Sequence, residues 1–156
     1  MQQTITIAPV RRSIVVSTPQ KRAFEIFTTF AWWPKSYSIL PSRAPQQAAV
    51  LEPRVGGRWF ERGEDGSECD WGKVLVFDPP RRLVFTWQIS PSYTFDPDVE
   101  TEVEVSFIAD GPNKTRVELE HRLFERFGDA GEKVRQDVDA PGGWGGVLEQ
   151  FAQAVR

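Results

Sequence analysis

The chain has 156 residues, of which 40% are hydrophobic and 26% are charged. This length and composition predict one globular domain over residues 1–156 and exclude a disordered chain. The net charge is −3 and the 19 basic residues are scattered along the chain, which argues against nucleic acid as a partner.

A single cysteine, Cys69, and a single histidine, His121, limit the chemistry that the chain can carry. One cysteine cannot form an internal disulfide, and these two side chains cannot complete a structural zinc site. We therefore expect neither a metal nor a cofactor. The amino terminus lacks the basic and apolar regions of a secretion signal, and no apolar run is long enough to span a membrane. We expect a cytoplasmic protein without membrane contact.

The amino-terminal part of the chain predicts a strand and then a short helix. β-Branched residues are frequent over 4–17, which favours a strand, broken near Pro9. Thr18 suits the cap of a helix and Pro19 its first position, and the apolar stripe of this helix would hold Ala23, Phe24, Phe27 and Phe30. Pro34 should end the helix and leave Trp32 and Trp33 at a corner between helix and loop.

From Val50 onward the hydrophobic period changes to two, which is typical of strands. Turn residues at 64–67, 78–80, 91–92 and 110–113 separate the strand-length runs AVLEPRV, GGRWFERG, WGKVLVFD, RRLVFTWQIS, VETEVEVSFIA and KTRVELEHRLF. These runs predict a meander of antiparallel strands. Gly56 and Gly57 lie where a long strand would need to bend sharply, and Gly72 is typical of a bulge that turns Trp71 inward alongside Val74.

Alternation along the later strands predicts which side chains face the interior of the curved sheet. The inward set is Leu83, Phe85, Trp87, Ile89, Val103, Val105, Phe107, Val117, Leu119 and His121. The opposite face is expected to be solvated, with ion pairs and no catalytic role for Glu102, Glu104, Glu118, Glu120, Arg116 and Arg122.

The carboxy-terminal part of the chain predicts a loop and then a long helix. Residues 125–143 are polar and rich in glycine, and we expect them to form a loop with an irregular helical turn. The last segment is amphipathic, with one apolar side formed by Trp144, Val147, Leu148, Phe151 and Val155. The predicted fold is therefore α+β, a helix-grip arrangement in which a curved antiparallel sheet wraps around the final helix.

The order of these motifs resembles the SRPBCC superfamily, the START-related helix-grip proteins. It is most similar to the branch named for the carboxy-terminal domain of the activator of heat-shock-protein-90 ATPase. The matching residues include Trp33, Pro34, Gly56, Gly57, Trp71, Gly72, Pro79, Pro80, Trp87, His121 and Trp144. The resemblance implies a helical pair after the first strand and a hydrophobic cavity between sheet and final helix. Superfamily members include lipid carriers, aromatic polyketide cyclases and self-resistance proteins, and the named branch contacts a chaperone.

This resemblance and the six tryptophans favour a protein that binds a small hydrophobic or aromatic molecule in that cavity. The expected ligand-binding residues are Trp71, Phe85, Trp87, Val105, Leu119, His121, Trp144 and Leu148. One alternative is a cyclase-like or lyase-like enzyme with His121 as catalytic acid or base, which would need an inward tyrosine or carboxylate such as Tyr93 or Asp96. Another is a chaperone or other protein partner, and the sequence also leaves a homodimer open.

Overall fold

Seven strands are present within residues 6–156, the part of the chain that our computed structural model describes. They are β1 (Val10–Val16), β2 (Gln46–Leu51), β3 (Arg58–Gly63), β4 (Glu68–Asp78), β5 (Arg82–Trp87), β6 (Thr101–Ala109) and β7 (Thr115–Arg122). They form one antiparallel sheet in the order β1-β7-β6-β5-β4-β3-β2. The sheet is curled and holds a long carboxy-terminal helix, which confirms the predicted α+β helix-grip fold.

The helices lie between β1 and β2 and after β7. The first is α1 (Gln20–Thr29), and β7 is followed by a 3₁₀ segment (Phe124–Ala130), α2 (Gly131–Asp139) and α3 (Trp144–Val155). Phe30 ends α1 in the left-handed conformation, with φ of 49°, and residues 31–36 form turns. Between β1 and β2 the described chain therefore has one regular helix, not the helical pair that the resemblance implies.

The start of the fold differs from the sequence-based prediction in two details. Strand β1 begins at Val10, later than the predicted strand over 4–17, whose first two residues lie outside the described residues. The predicted helix start is also wrong, because Pro19 is the cap residue and no side chain caps α1. Thr18 is instead held against β7, where its carbonyl oxygen accepts a hydrogen bond of 2.8 Å from the hydroxyl of Thr115.

Helix α2 lies where the sequence predicts a loop with an irregular helical turn, so the predicted helical content of this segment is too low. Val134 and Val138 are buried and stand four residues apart, so they share one face of the helix. On the exposed side, Lys133 and Asp137 form an ion pair with the same spacing. The amphipathic pattern of this helix is only nine residues long and lies between glycine-rich segments, which favour a loop.

The glycines shape the sheet, although one pair does so differently from the prediction. Gly56 and Gly57 lie in the turn that joins β2 to β3, so they reverse the chain rather than bend one long strand. Gly72 does accompany a bulge, because Trp59 pairs with Gly72 while Phe60 pairs with Asp70. Trp71 is the extra residue, and it is buried on the same side as the core, as predicted.

The two faces of the sheet have opposite chemistry. The concave face carries the predicted inward side chains, and α1 and α3 cover it; the ring of Phe27 lies 5.4 Å from that of Phe107 and 5.1 Å from that of Phe151. The convex face carries ion pairs, in which Arg122 contacts Glu102, Glu104 and Glu120. The central side chains of β5 are buried on both faces, including Val84 and Thr86, and Gln88 just after the strand is buried as well. The functional site is therefore expected on the concave side.

Candidate ligand-binding site

A cavity of about 420 Å³ opens at the end of the concave face where α2 and α3 meet the connector between α1 and β2, residues 30–45. Its apolar lining consists of Trp33, Ile39, Trp71, Trp87, Ile89, Val138, Trp144 and Val147, and its polar lining consists of Ser36, Tyr37, Ser38, Tyr93 and Asp137, with Gly142 and Gly143. We call this space the tryptophan cavity, after its four tryptophans. Its volume lies in the range of about 300–1,000 Å³ that is typical of small-molecule sites.

The four tryptophans form a connected row around the cavity. The ring of Trp33 lies 5.5 Å from that of Trp71 and 6.2 Å from that of Trp144, and Trp144 lies 5.4 Å from Trp87. Most of these contacts are tilted or edge-to-face, arrangements that rigid aromatic clusters favour. Trp87 is the least buried of the four. The other three are almost fully buried, at 1% exposure for Trp71, 2% for Trp144 and 6% for Trp33, so Trp87 presents most of the indole surface to a molecule that enters the cavity.

His121 lies behind this row, fully buried, and both of its ring nitrogens have partners. The indole N–H of Trp144 donates to Nδ1 over 3.0 Å, and Thr101 Oγ1 lies 2.8 Å from Nε2. Because the Thr101 hydroxyl donates to the carbonyl oxygen of Trp87, it accepts from the histidine, which makes Nε2 the protonated nitrogen. Desolvation lowers the pKa of His121 to about 3. The ring is therefore neutral and positions Trp144, Thr101 and the end of β5.

A buried carboxylate holds another side of the cavity in place. Glu61 accepts hydrogen bonds from the Ser38 hydroxyl, from the backbone N–H of Ile39 at 2.7 Å and from the indole N–H of Trp71 at 2.9 Å. The amide of Gln46 adds a fourth donor at 3.3 Å. Three of these four partners line the cavity, so Glu61 joins the connector to the bulge of β4.

The opening of the cavity is bordered by two polar contacts between distant parts of the chain. The hydroxyl of Tyr37 donates to the carbonyl oxygen of Gly142 over 2.7 Å. On the other side, the hydroxyl of Tyr93 donates to Asp137 Oδ2 over 3.2 Å. Partial desolvation, and then this hydrogen bond, raise the pKa of Tyr93. The phenol therefore stays protonated at neutral pH.

The structure separates the predicted ligand-binding residues into two groups. Trp71, Trp87 and Trp144 line the tryptophan cavity. The others, Phe85, Val105, Leu119, His121 and Leu148, are buried in the core and do not line it. Of the two residues considered as partners for a catalytic histidine, Tyr93 lines the opening and Asp96 does not.

Sequence reasoning missed most of the polar lining. Asp137 and Val138 lie on α2, which was predicted as a loop, and Ser36, Tyr37, Ser38 and Ile39 lie in a connector without periodicity. The four-residue spacing of Val134 and Val138 was a usable signal for α2. The connector carries no comparable signal, because its place is determined by Glu61.

Few chemically reactive groups are present at the site. Asp137 is the one charged side chain among the described residues that line the cavity. Desolvation raises the pKa of Cys69 to about 11, so its thiol stays protonated at neutral pH.

Within residues 6–156 no group of three metal-ligating side chains is found, and no helix is long and apolar enough to cross a membrane.

The curled sheet, the gripping helix and the internal aromatic cavity define a helix-grip protein of the SRPBCC superfamily. A family model described as activator of Hsp90 ATPase homolog 1-like protein matches residues 17–156. The chain therefore belongs to the activator of Hsp90 ATPase homolog 1-like family. None of the curated proteins compared with the chain matches it.

Solved structures with similar folds include two proteins with substantial sequence identity. The anthrahydroquino-γ-pyrone synthase Txn09 is 37% identical, with 97% of this chain and 98% of that one covered and a TM-score of 0.64. The self-sacrificing resistance protein CalC from Micromonospora echinospora is 33% identical, with 94% and 93% covered and a TM-score of 0.69. Protein NE0264 from Nitrosomonas europaea, 14% identical over 94% and 93% with a TM-score of 0.65, shares the fold.

Proposed function

We propose that the chain binds a planar aromatic small molecule in the tryptophan cavity. The observation that carries this proposal is an open cavity of about 420 Å³ lined by four tryptophans. Flat apolar walls favour a flat apolar ligand, because stacking and burial both increase with the shared surface. Trp71, Trp87 and Trp144 contact the ligand, while Phe85, Val105, Leu119, His121 and Leu148 support them from the core.

One of the two relatives with substantial identity, Txn09, supports this class of ligand. Txn09 is named as an anthrahydroquino-γ-pyrone synthase, and an anthrahydroquino-γ-pyrone is a fused aromatic ring system; CalC is named as a self-sacrificing resistance protein, which specifies no ligand. Both align with this chain over nearly its whole length. A fused three-ring aromatic is compatible with the volume and with the tryptophan lining of the cavity.

Isothermal titration calorimetry with a hydroxyanthraquinone tests the proposal. We expect saturable binding by the wild-type protein and at least a tenfold loss of affinity in Trp87→Leu, since about 1.4 kcal/mol of lost contact suffices for that change. Trp32→Leu is the control, because Trp32 packs mainly on Phe27, Phe30 and Phe151 and does not line the cavity; its one contact with the lining is the ring of Trp33 at 6.0 Å. Wild-type protein that binds no aromatic probe, or a Trp87→Leu variant with unchanged affinity, would contradict the proposal.

A cavity enzyme is the second candidate, favoured by the identity to the synthase Txn09. The acid–base groups of such an enzyme would be Asp137 and Tyr93, because they line the opening, whereas His121 is buried with both nitrogens occupied. Incubating the protein with each compound that it binds, then analysing that compound by mass spectrometry, separates the two candidates. Recovery of every bound compound unchanged favours binding alone.

A further inference from the structure

The polar groups of the tryptophan cavity are concentrated at its opening on the α2 side. Tyr93 lies at the tip of a short turn after β5, where its backbone N–H donates to the carbonyl oxygen of Ser90 over 2.9 Å. Its φ of +61° is unusual for a residue with a bulky side chain. The turn directs the phenol to Asp137 on α2. Two segments distant in sequence thus meet at one carboxylate.

Asp137 has hydrogen-bonding capacity left after these contacts. Its Oδ2 atom accepts from the Tyr93 hydroxyl at 3.2 Å and from Lys133 Nζ at 2.9 Å. Within the described part of the chain, no donor reaches Oδ1. A carboxylate offers about four acceptor sites, so Asp137 can accept at least one more hydrogen bond. Since Asp137 lines the cavity, a ligand can supply that donor.

We infer that the aromatic ligand carries a hydroxyl group, which donates a hydrogen bond to Asp137 at the opening of the cavity. This inference rests on the proposed function. The ring system lies among the tryptophans, and the hydroxyl-bearing end faces the segment between Tyr93 and α2. Tyr93 and Lys133 are positioning residues, because they hold Oδ2 and leave Oδ1 for the ligand.

A neutral hydroxyl fits this site better than a charged group. Lys133 already compensates the charge of Asp137 and would repel a ligand cation. A ligand anion has no hydrogen to donate to Oδ1 of this carboxylate, the one charged side chain of the lining among the described residues. A hydroxyl donor carries neither penalty, and a hydrogen bond to a charged acceptor is stronger than one between neutral groups.

Paired probes test the inference by calorimetry on the full chain. The probes are a hydroxyanthraquinone and the methylanthraquinone substituted at the same ring carbon, in buffer acidic enough to keep the phenol protonated. These two substituents are similar in size, but only the hydroxyl can donate. We expect the wild-type protein to prefer the hydroxyl probe about tenfold, and Asp137→Ala to bind the two probes with equal affinity.

Asp139→Ala is the matched control on the same helix. Asp139 pairs with Arg12 and Arg135 and does not line the cavity, so its removal should leave the tenfold preference intact. Tyr93→Phe should reduce the preference in part, because Asp137 then loses one group that orients it.

The outcomes distinguish this inference from the proposed function. If the wild-type protein binds both probes with equal affinity, or if Asp137→Ala keeps the preference, the hydroxyl assignment fails and aromatic binding stands. Tighter binding of an ammonium-bearing anthraquinone than of the hydroxyl probe likewise overturns the hydroxyl assignment. If neither neutral probe binds, both proposals are overturned.

Discussion

His121 illustrates how a single polar side chain can be satisfied inside an apolar core. The ring accepts from the indole of Trp144 and donates to the hydroxyl of Thr101, so each nitrogen has one partner in the neutral form. A proton on Nδ1 would face the N–H of Trp144, and the buried charge would lack a counter-ion among its hydrogen-bond partners. Both effects favour the neutral ring, in agreement with its lowered pKa.

The buried histidine makes stability depend on pH. In the folded state His121 stays neutral down to about pH 3, whereas in the unfolded chain it gains a proton near 6.5. Between those values the unfolded state binds more protons, so the free energy of unfolding falls as pH falls. We expect a loss of about 2 kcal/mol from neutral pH to about pH 5. Urea denaturation at the two pH values measures it.

His121→Gln is the control for this pH dependence, because glutamine supplies an acceptor and a donor without a proton to gain. The variant should show a flatter profile over the same range. Hydrogen bonds from arginines lower the pKa values of Glu68 and Glu104, so these carboxylates titrate below that range. If the free energy of unfolding of the variant falls with pH as steeply as that of the wild type, groups other than His121 cause the pH dependence.

Strands β4 and β5 approach each other closely at one glycine, whereas a glycine in α3 has open space around it. At Gly72, in the bulge of β4, a Cβ atom would lie 2.1 Å from the carbonyl oxygen of Thr86 on β5. At Gly145, in the first turn of α3, a Cβ atom would meet nothing closer than Arg12 Nε at 3.7 Å. The same substitution therefore has opposite consequences in the two elements.

Gly72→Ala and Gly145→Ala form a matched pair. We expect Gly72→Ala to lower the free energy of unfolding by about 2–3 kcal/mol, because backbone atoms of β4 or β5 must move. Gly145→Ala should raise it by about 0.5 kcal/mol, since alanine favours the helix and restricts the unfolded chain. Thermal unfolding followed by circular dichroism measures both. Equal effects would show that the spacing between β4 and β5 is not limiting.

The protein as a whole places its carboxylates in two contrasting environments. On the convex face, Glu118 pairs with Arg116 and both side chains are about half exposed, at 47% and 49%. On the concave side, Glu61 is fully buried and accepts hydrogen bonds from neutral donors. The curled sheet thus has an ionic outer surface and an apolar interior, in which Glu61 is the one fully buried carboxylate among residues 6–156.

Replacing each glutamate by glutamine tests that contrast. Glu61→Gln turns one acceptor oxygen into an amide that faces donors, so we expect a loss of about 3 kcal/mol in the free energy of unfolding. Glu118→Gln should change it by less than about 0.5 kcal/mol, because exposed ion pairs contribute little. Denaturant titration of both variants provides the measurement. A small effect at Glu61 would mean that the connector holds its place without the carboxylate.

Hydrophobic periodicity alone was enough to predict the antiparallel sheet, the inward face of β5 to β7 and the final amphipathic helix. These features depend on neighbours in sequence, since alternation along a strand decides which side chains share a face. Alternation placed Trp87 on the interior side, the predicted bulge at Gly72 placed Trp71 there, and the apolar side of the final helix placed Trp144 there. The burial of His121 followed from its position in the alternating pattern of β7.

The opening of the cavity depended on contacts that no local pattern contains. The polar residues of the opening come from 36–38, from Tyr93 and from Asp137. They meet because α2 and the turn after β5 lie side by side at the opening of the cavity. Whether an inward side chain lines a void or packs in the core likewise depends on what fills the space opposite. Phe85 and Trp87 share one face of β5, yet only Trp87 reaches the cavity, because the rings of Phe30 and Trp59 pack against Phe85 at 6.2 and 5.2 Å.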